Sequence, residues 1–346
     1  MSFVDLISGY ELRGMSLFLY NKPLAINLSL STTYYLLPST YYLLMYKSVK
    51  LYTAIVLAMV FWSFSFIWTR VAIHSFQPMT LITLRLVIAS VLLFVVAKST
   101  GKLQKLRRKD FKWFILLAFF EPFLYYVGET YGLTTVESTL AAVIVSTIPL
   151  FAPVLAFIVL KERIGWFNIL GIVVSLVGVF FVIYEPKGGF NANPWGVALM
   201  FLAVFAAICY ATVLRKIPTY YSNMNIIFYQ SLLGLLFFIP TFFLTDFPTI
   251  QTLQVDRESL IALFMLSVFA SVIAFVLFAG AVRQVGVTRT NVFVNLIPVF
   301  TAILSWFILD EILTVSKWVG ILIVVVGLFV SQMGKIKFNK GVGEII

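Results

Sequence analysis

The chain has 346 residues, of which 61% are apolar and 11% charged, with a mean hydropathy of +1.02. A soluble domain carries roughly 25% charge, so this composition leaves too little polar surface to face water and excludes the soluble fold classes. The formal charge of +11 does not indicate nucleic acid, because Lys and Arg sit between apolar runs without interleaved aromatic residues. A single cysteine, Cys209, and a single histidine, His74, argue against disulfide, redox or imidazole-based metal chemistry, so neither metal nor cofactor is expected.

Residues 1–45 stand apart. They hold an imperfect tandem repeat in which Thr-Tyr-Tyr-Leu-Leu recurs between Thr33 and Leu44, and the uncharged stretch 24–46 is rich in Ser, Thr and Asn and holds Pro38, a poor span. This segment reads as an N-terminal extension, poorly ordered or upstream of a natural start at Met45. From there, apolar runs of bilayer length occur near 51–72, 78–97, 112–132, 138–160, 164–184, 194–214, 221–243, 259–281, 288–309 and 315–334. Lipid offers the backbone no hydrogen bonds, so each run must be a helix. With the N-terminus cytoplasmic, 20 of the 25 basic residues fall on the inside and three on the outside; Arg70 and Arg85 lie within spans. The bias predicts a multi-pass protein of the cell (inner) membrane with both termini cytoplasmic.

Residues 136–183 align without a gap on 285–332, at an offset of 149, with 15 of 48 pairs identical, among them Pro149 with Pro298, Glu162 with Glu311, Gly171 with Gly320 and Gly178 with Gly327. Upstream, Met79 to Leu86 lie loosely opposite Met224 to Ser231. The predicted fold is therefore all-α integral membrane: ten transmembrane helices as two five-helix repeats, 46–184 and 190–335, with a cytoplasmic tail at 336–346. An odd number of helices per repeat inverts the second copy, the plan of many secondary transporters, whose substrate site lies between the halves.

Ionisable groups inside spans mark pathways or partners. Arg85 in the second run, and Glu121 and Glu129 in the third, are such groups. At 1.5 Å per residue Glu121 lies about 14 Å along its helix and Glu129 about 12 Å further, with Arg85 at a depth between them. A buried Arg85 salt bridge is expected, either packing the helices or serving transport. Tyr125, four residues from each glutamate, completes a polar stripe. Carboxyls in a low-dielectric site are candidate proton carriers, and Pro122 predicts a kink beside Glu121. Helix nine carries Asn291 and Asn295 one turn apart, and Ser146 is the repeat counterpart of Asn295. These and Trp62 complete the expected transport cavity. Glu162 and Glu311, at helix ends, are expected to cap neighbours. Arg70 is expected to snorkel to the interface, and the Gly171, Gly178, Gly320 and Gly327 positions form a small-residue seam, internal or between protomers.

Trp62 followed by Arg70, Arg85, Pro149 through Leu160-Lys161-Glu162-Arg163, and Pro298 through Leu309-Asp310-Glu311 with Gly320 and Gly327, in this duplicated order, resemble the drug/metabolite transporter superfamily and its EamA-type ten-helix members. The resemblance covers about residues 46–335; it departs at Ser63 and at Tyr210-Ala211. It implies a secondary transporter, commonly an exporter of amino acids or related small metabolites, whose partners are a small-molecule substrate and the lipid bilayer, with protons as a candidate coupling ion. A membrane-embedded enzyme and a membrane scaffold that moves nothing are the competing classes. The oligomeric state and the substrate are open at this stage.

Overall fold

A computed structural model describes residues 30–342, apart from 161–164, 186–188, 191, 215, 286–289, 291 and 292. The chain forms two compact units, 1–50 and 51–346, and the second holds the helical bundle. Helix α1 spans Leu30–Ala72. It is followed by α2 (Pro78–Ser99), α3 (Arg108–Leu133), α4 (Ser138–Val145, continued by Ile148–Leu160), α5 (Trp166–Ile183), α6 (Pro194–Leu214), α7 (Asn223–Thr245), α8 (Arg257–Ala281), α9 (Leu296–Ile308) and α10 (Val315–Val342). Among the described residues eight helices are long and apolar enough to cross a membrane, and Leu296–Ile308 and Val315–Ser331 are shorter apolar helices. Among the same residues, the one departure from helical elements is a two-residue pairing of β1 (Tyr184–Glu185) with β2 (Gly189–Phe190).

Local chemistry sets the helix ends. Pro78 opens α2, where its missing N–H costs nothing, and the side chains of Ser222 and Asp256 accept from the amides of Asn225 and Ser259 to start α7 and α8. The apolar outer faces, such as Val173, Val177 and Phe180 on α5, are exposed, as lipid-facing surfaces should be.

Helices pack in pairs: α2 against α7, α4 against α9 and, most extensively, α5 against α10. In the last pair a Cβ on Gly171 would lie 2.6 Å from the Gly327 carbonyl oxygen, and one on Gly178 would lie 2.7 Å from that of Gly320. The small-residue seam is thus internal, with the two backbones in direct contact. Asn168 extends it by donating to Ser331 Oγ at 2.8 Å.

Carboxylates tie the helix ends at one face. Asp246 accepts from Thr80 N and Oγ1 at 2.7 and 3.0 Å, and Glu311 accepts from the amides of Ser138 and Thr139 at 2.7 and 3.2 Å, capping α4. Lys317 reaches Glu137 at 2.7 Å. Arg70, expected to snorkel, instead donates to the carbonyls of Leu133 and Val136: the last carbonyls of a helix have no partner of their own, and those of α3 lie within its reach. Glu162 falls outside the described residues.

Candidate functional site

Arg85 is 3% exposed, and α3 and α8 hold its guanidinium. Its Nη1 faces Glu129 Oε2 at 3.8 Å, its Nε donates to Ser271 Oγ at 2.6 Å, and its plane lies 4.1 Å from the centre of the Tyr126 ring. Glu129 also accepts from Tyr125 at 3.2 Å. Burial of such a charge is tolerable because it is paired and hydrogen-bonded.

The helices presenting these groups are irregular at matching places. In α3 the helix is interrupted between Phe119 and Leu124, and Glu121 has an extended backbone (φ −143°, ψ 117°). Pro122 supplies the reason, since it cannot donate to the ladder, and Gly234 of α7 leaves room for it: a Cβ there would lie 2.5 Å from Pro122 Cγ. In α8 the turns widen between Leu266 and Ala274, and Ser271 Oγ donates to Leu266 O at 3.2 Å while accepting from Arg85. Displaced by the 149-residue offset, the first irregular stretch falls inside the second.

The break corrects one expectation. Glu121 does not continue the Tyr125–Glu129 stripe, because the extended residue takes it out of helical register. Its carboxylate, on a residue 8% exposed, has no hydrogen bond or ion pair among the described residues. It lies within electrostatic reach of Glu129 and Arg85, and of Tyr126 and Tyr210. Tyr210 in turn meets the side chain of Gln230, whose Oε1 is buried without a partner.

The other expected residues make contacts of their own. Trp62 packs on Phe275 and Phe278 of α8, with ring centres 5.2 and 4.8 Å away. Ser146 is fully buried where α4 breaks and donates to Val143 O at 2.7 Å. Asn295 stands at the start of α9, 2% exposed, with neither amide atom paired. Asn291 lies outside the described residues. The structure therefore joins Arg85, Tyr125 and Glu129 by direct contacts, with Glu121 beside them; no hydrogen bond, ion pair or ring contact among the described residues joins Trp62, Ser146 or Asn295 directly to that group. Sequence reasoning missed Ser271 and Gln230. The signal for Gln230 was in the loose alignment, where it stands opposite Arg85.

Among the described residues no three His, Cys, Asp or Glu side chains converge as a metal site would require. A polar cavity of about 300 Å³ opens at the face tied by Asp246, lined by His74, Ser75, Gln77, Thr80, Asp246 and Gln254 among others.

The EamA-like transporter family model matches residues 36–184 and 194–333, both copies of the repeat. The chain belongs to the EamA-like transporter family. Among relatives of this EamA-like chain, an uncharacterized transporter of Archaeoglobus fulgidus is 27% identical over 281 residues, covering 81% of this chain and 98% of that one. A protein of Escherichia coli named "Probable amino-acid metabolite efflux pump" is 21% identical, covering 83% and 95%. A solved crystal structure superposes with a TM-score of 0.58 at 15% identity, over 81% of this chain and 96% of the other, a likeness of fold. The EamA-like chain is thus a membrane transporter, and its buried Arg85 and Glu129 meet where α2, α3 and α8 come together.

Proposed function

We propose that the protein is a secondary active transporter that moves a small polar metabolite, an amino acid or a related compound, out of the cell by alternating access. Its ten helices form two inverted repeats, and it sits in the inner membrane with both termini cytoplasmic, as the basic bias indicates. The observation that carries the reading is the α5–α10 seam. The pair Gly171 and Gly327 becomes the pair Gly320 and Gly178 when each position is exchanged for its repeat counterpart, the behaviour of two copies related by a two-fold axis running between them. Helices α2 with α7 and α4 with α9 are further counterpart pairs packed on each other, and the breaks in α3 and α8 occupy corresponding positions. Interrupted helices at equivalent places in two halves are where inverted-repeat transporters hold substrate and coupling ions.

Arg85, Glu121, Tyr125 and Glu129 line this central region, and Trp62, Ser146, Asn291 and Asn295 are assigned to the path that substrate takes past it. A proton is the proposed coupling ion, carried by Glu121 or Glu129. The name of the Escherichia coli relative supports amino-acid-related export. A scaffold would have no use for a buried charged cluster, which is costly to keep in a membrane.

Flux into proteoliposomes, with and without a pH gradient, tests this. Saturable, gradient-dependent flux of an amino acid or related compound is expected. Absence of saturable flux for a broad metabolite panel, with a hydrolytic activity present instead, overturns the carrier reading. Unchanged pH dependence in both Glu121→Gln and Glu129→Gln removes the proton from it.

A further inference from the structure

The two carboxylates of α3 have opposite surroundings. Glu129 is answered by Arg85 and by the Tyr125 hydroxyl. Glu121, more than nine-tenths buried, is answered by nothing among the described residues. The cation that would neutralise it, Arg85, already faces Glu129, Ser271 and the Tyr126 ring. Gln230 Oε1 is a buried acceptor without a partner, and Gly234, one turn after Gln230 on α7, packs against Pro122 next to Glu121.

Orphan buried acceptors are expensive, an ionised one most of all. These acceptors call for donors and positive charge. A carboxylate ligand would bring only more acceptors. A primary ammonium brings three N–H donors and one positive charge.

Resting on the transporter reading and narrowing its substrate, we infer that Glu121 and Gln230 form a subsite for a protonated amine. The preferred cargo is then an amine that lacks a free carboxylate, such as a decarboxylated or amidated amino-acid derivative, rather than the zwitterionic amino acid. Glu129 is a positioning residue that holds Arg85, and Glu121 is the ligand-contacting one.

The test measures binding by calorimetry and thermal shift to the full-length protein in detergent. The probes are methylamine, butylamine, benzylamine and putrescine, then N-acetylbenzylamine, benzoate and phenylalanine. At least one amine binds saturably, while the acetylated probe, benzoate and phenylalanine bind at least about tenfold more weakly, a difference of about 1.4 kcal/mol. Glu121→Gln, folded by size exclusion, loses amine affinity by about tenfold or more. Gln230→Lys removes one acceptor and supplies an internal ammonium to the Glu121 carboxylate, so it raises the melting temperature and blocks the amine probes; it decides the matter where Glu121→Gln fails to fold. Failure of every amine to bind overturns the inference, as does equal binding of benzoate or phenylalanine. Amine affinity unchanged in Glu121→Gln also overturns it, and so does proton-driven flux that depends on Glu121 without amine binding. Amine binding without flux keeps the subsite and sinks the transporter reading; flux of another solute indifferent to Glu121→Gln does the reverse.

Discussion

The α5–α10 seam and the Arg85 cluster are both built from two copies of one repeat, and they have diverged in opposite ways. At the seam the copies are still interchangeable: glycine meets glycine, the helices are regular, and Ser175 donates to Val324 O, its own counterpart position. At the cluster the counterparts differ. Arg85 in α2 corresponds to Gln230 in α7, and the break of α3 at Glu121 and Pro122 corresponds to widened turns around Ser271 in α8. Symmetry survives where backbones touch and any side chain would collide. It is lost at the cluster, where we propose that substrate binds.

The hardest blow to this contrast is struck at the seam. Gly178→Leu puts side-chain atoms onto the Gly320 carbonyl and Val324, beyond the roughly 3 kcal/mol at the upper end of ordinary overpacking. The expected result is loss of monodisperse protein in detergent, with Gly320→Leu behaving alike because each position faces the other across the seam. If one tolerates leucine and the other does not, the seam is not two-fold.

At the cluster, Glu129→Gln leaves Arg85 without its ion partner and should cost about 3 kcal/mol, the low end for breaking a buried pair, since glutamine still accepts from Tyr125. Glu121→Gln should do the opposite to the ligand-free protein, raising its melting temperature by replacing a buried carboxyl that has no hydrogen bond or ion pair among the described residues. Thermal unfolding of both variants side by side checks the pair. Equal destabilisation shows that Glu121 has a partner and that the cluster is a single network.

Physics decides how much of each region is legible in the sequence. Helices and seam were legible because lipid permits only helix and because close backbone approach demands glycine at every repeat. A buried salt bridge of Arg85 was legible from depth, since a charge in hydrocarbon must find another near its level, but depth put Arg85 between Glu121 and Glu129 and did not choose between them. Glu121 was misread as part of a continuous stripe: Pro122 announced a kink, but periodicity says nothing about a residue whose backbone is extended. Ser271 carried no signal, since a serine in an apolar helix acquires meaning only when its cross-helix partner is known, and the orphan state of Gln230 depends on which donors pack around it.

A smaller effect is expected at Glu311, which connects the repeats at the α4 N-terminus. Glu311→Ala removes acceptors from the Ser138 and Thr139 amides and from Thr139 Oγ1 at 2.7 Å, a capping loss of about 1 to 2 kcal/mol. Accessibility labelling of a cysteine placed at Thr134, in a Cys209→Ser background, checks whether this cap also closes one face. Labelling that rises while helix content stays constant assigns Glu311 to the moving machinery. Unchanged labelling assigns it, with the seam, to the fixed frame.

The smallest expected effect lies at the exposed turn before α8. The Ser75 hydroxyl, then the amides of Ser259 and Glu258, hold the Asp256 carboxyl below its ordinary value of 3.8, at about 2. A carboxyl depressed on folding stabilises the native state above its unfolded value, and that contribution disappears as pH falls through the folded one. Asp256 therefore contributes in full above about pH 4 and nothing below about pH 2. Solvent screens so exposed a group, so the loss is modest. Thermal unfolding of wild type and Asp256→Asn across this range should converge at the acid end, with wild type the more stable at neutral pH. Curves that stay parallel from neutral pH to pH 2 would show that Asp256 does not tie the turn after α1 to α8, and that this end of α8 is held by packing, as the seam is.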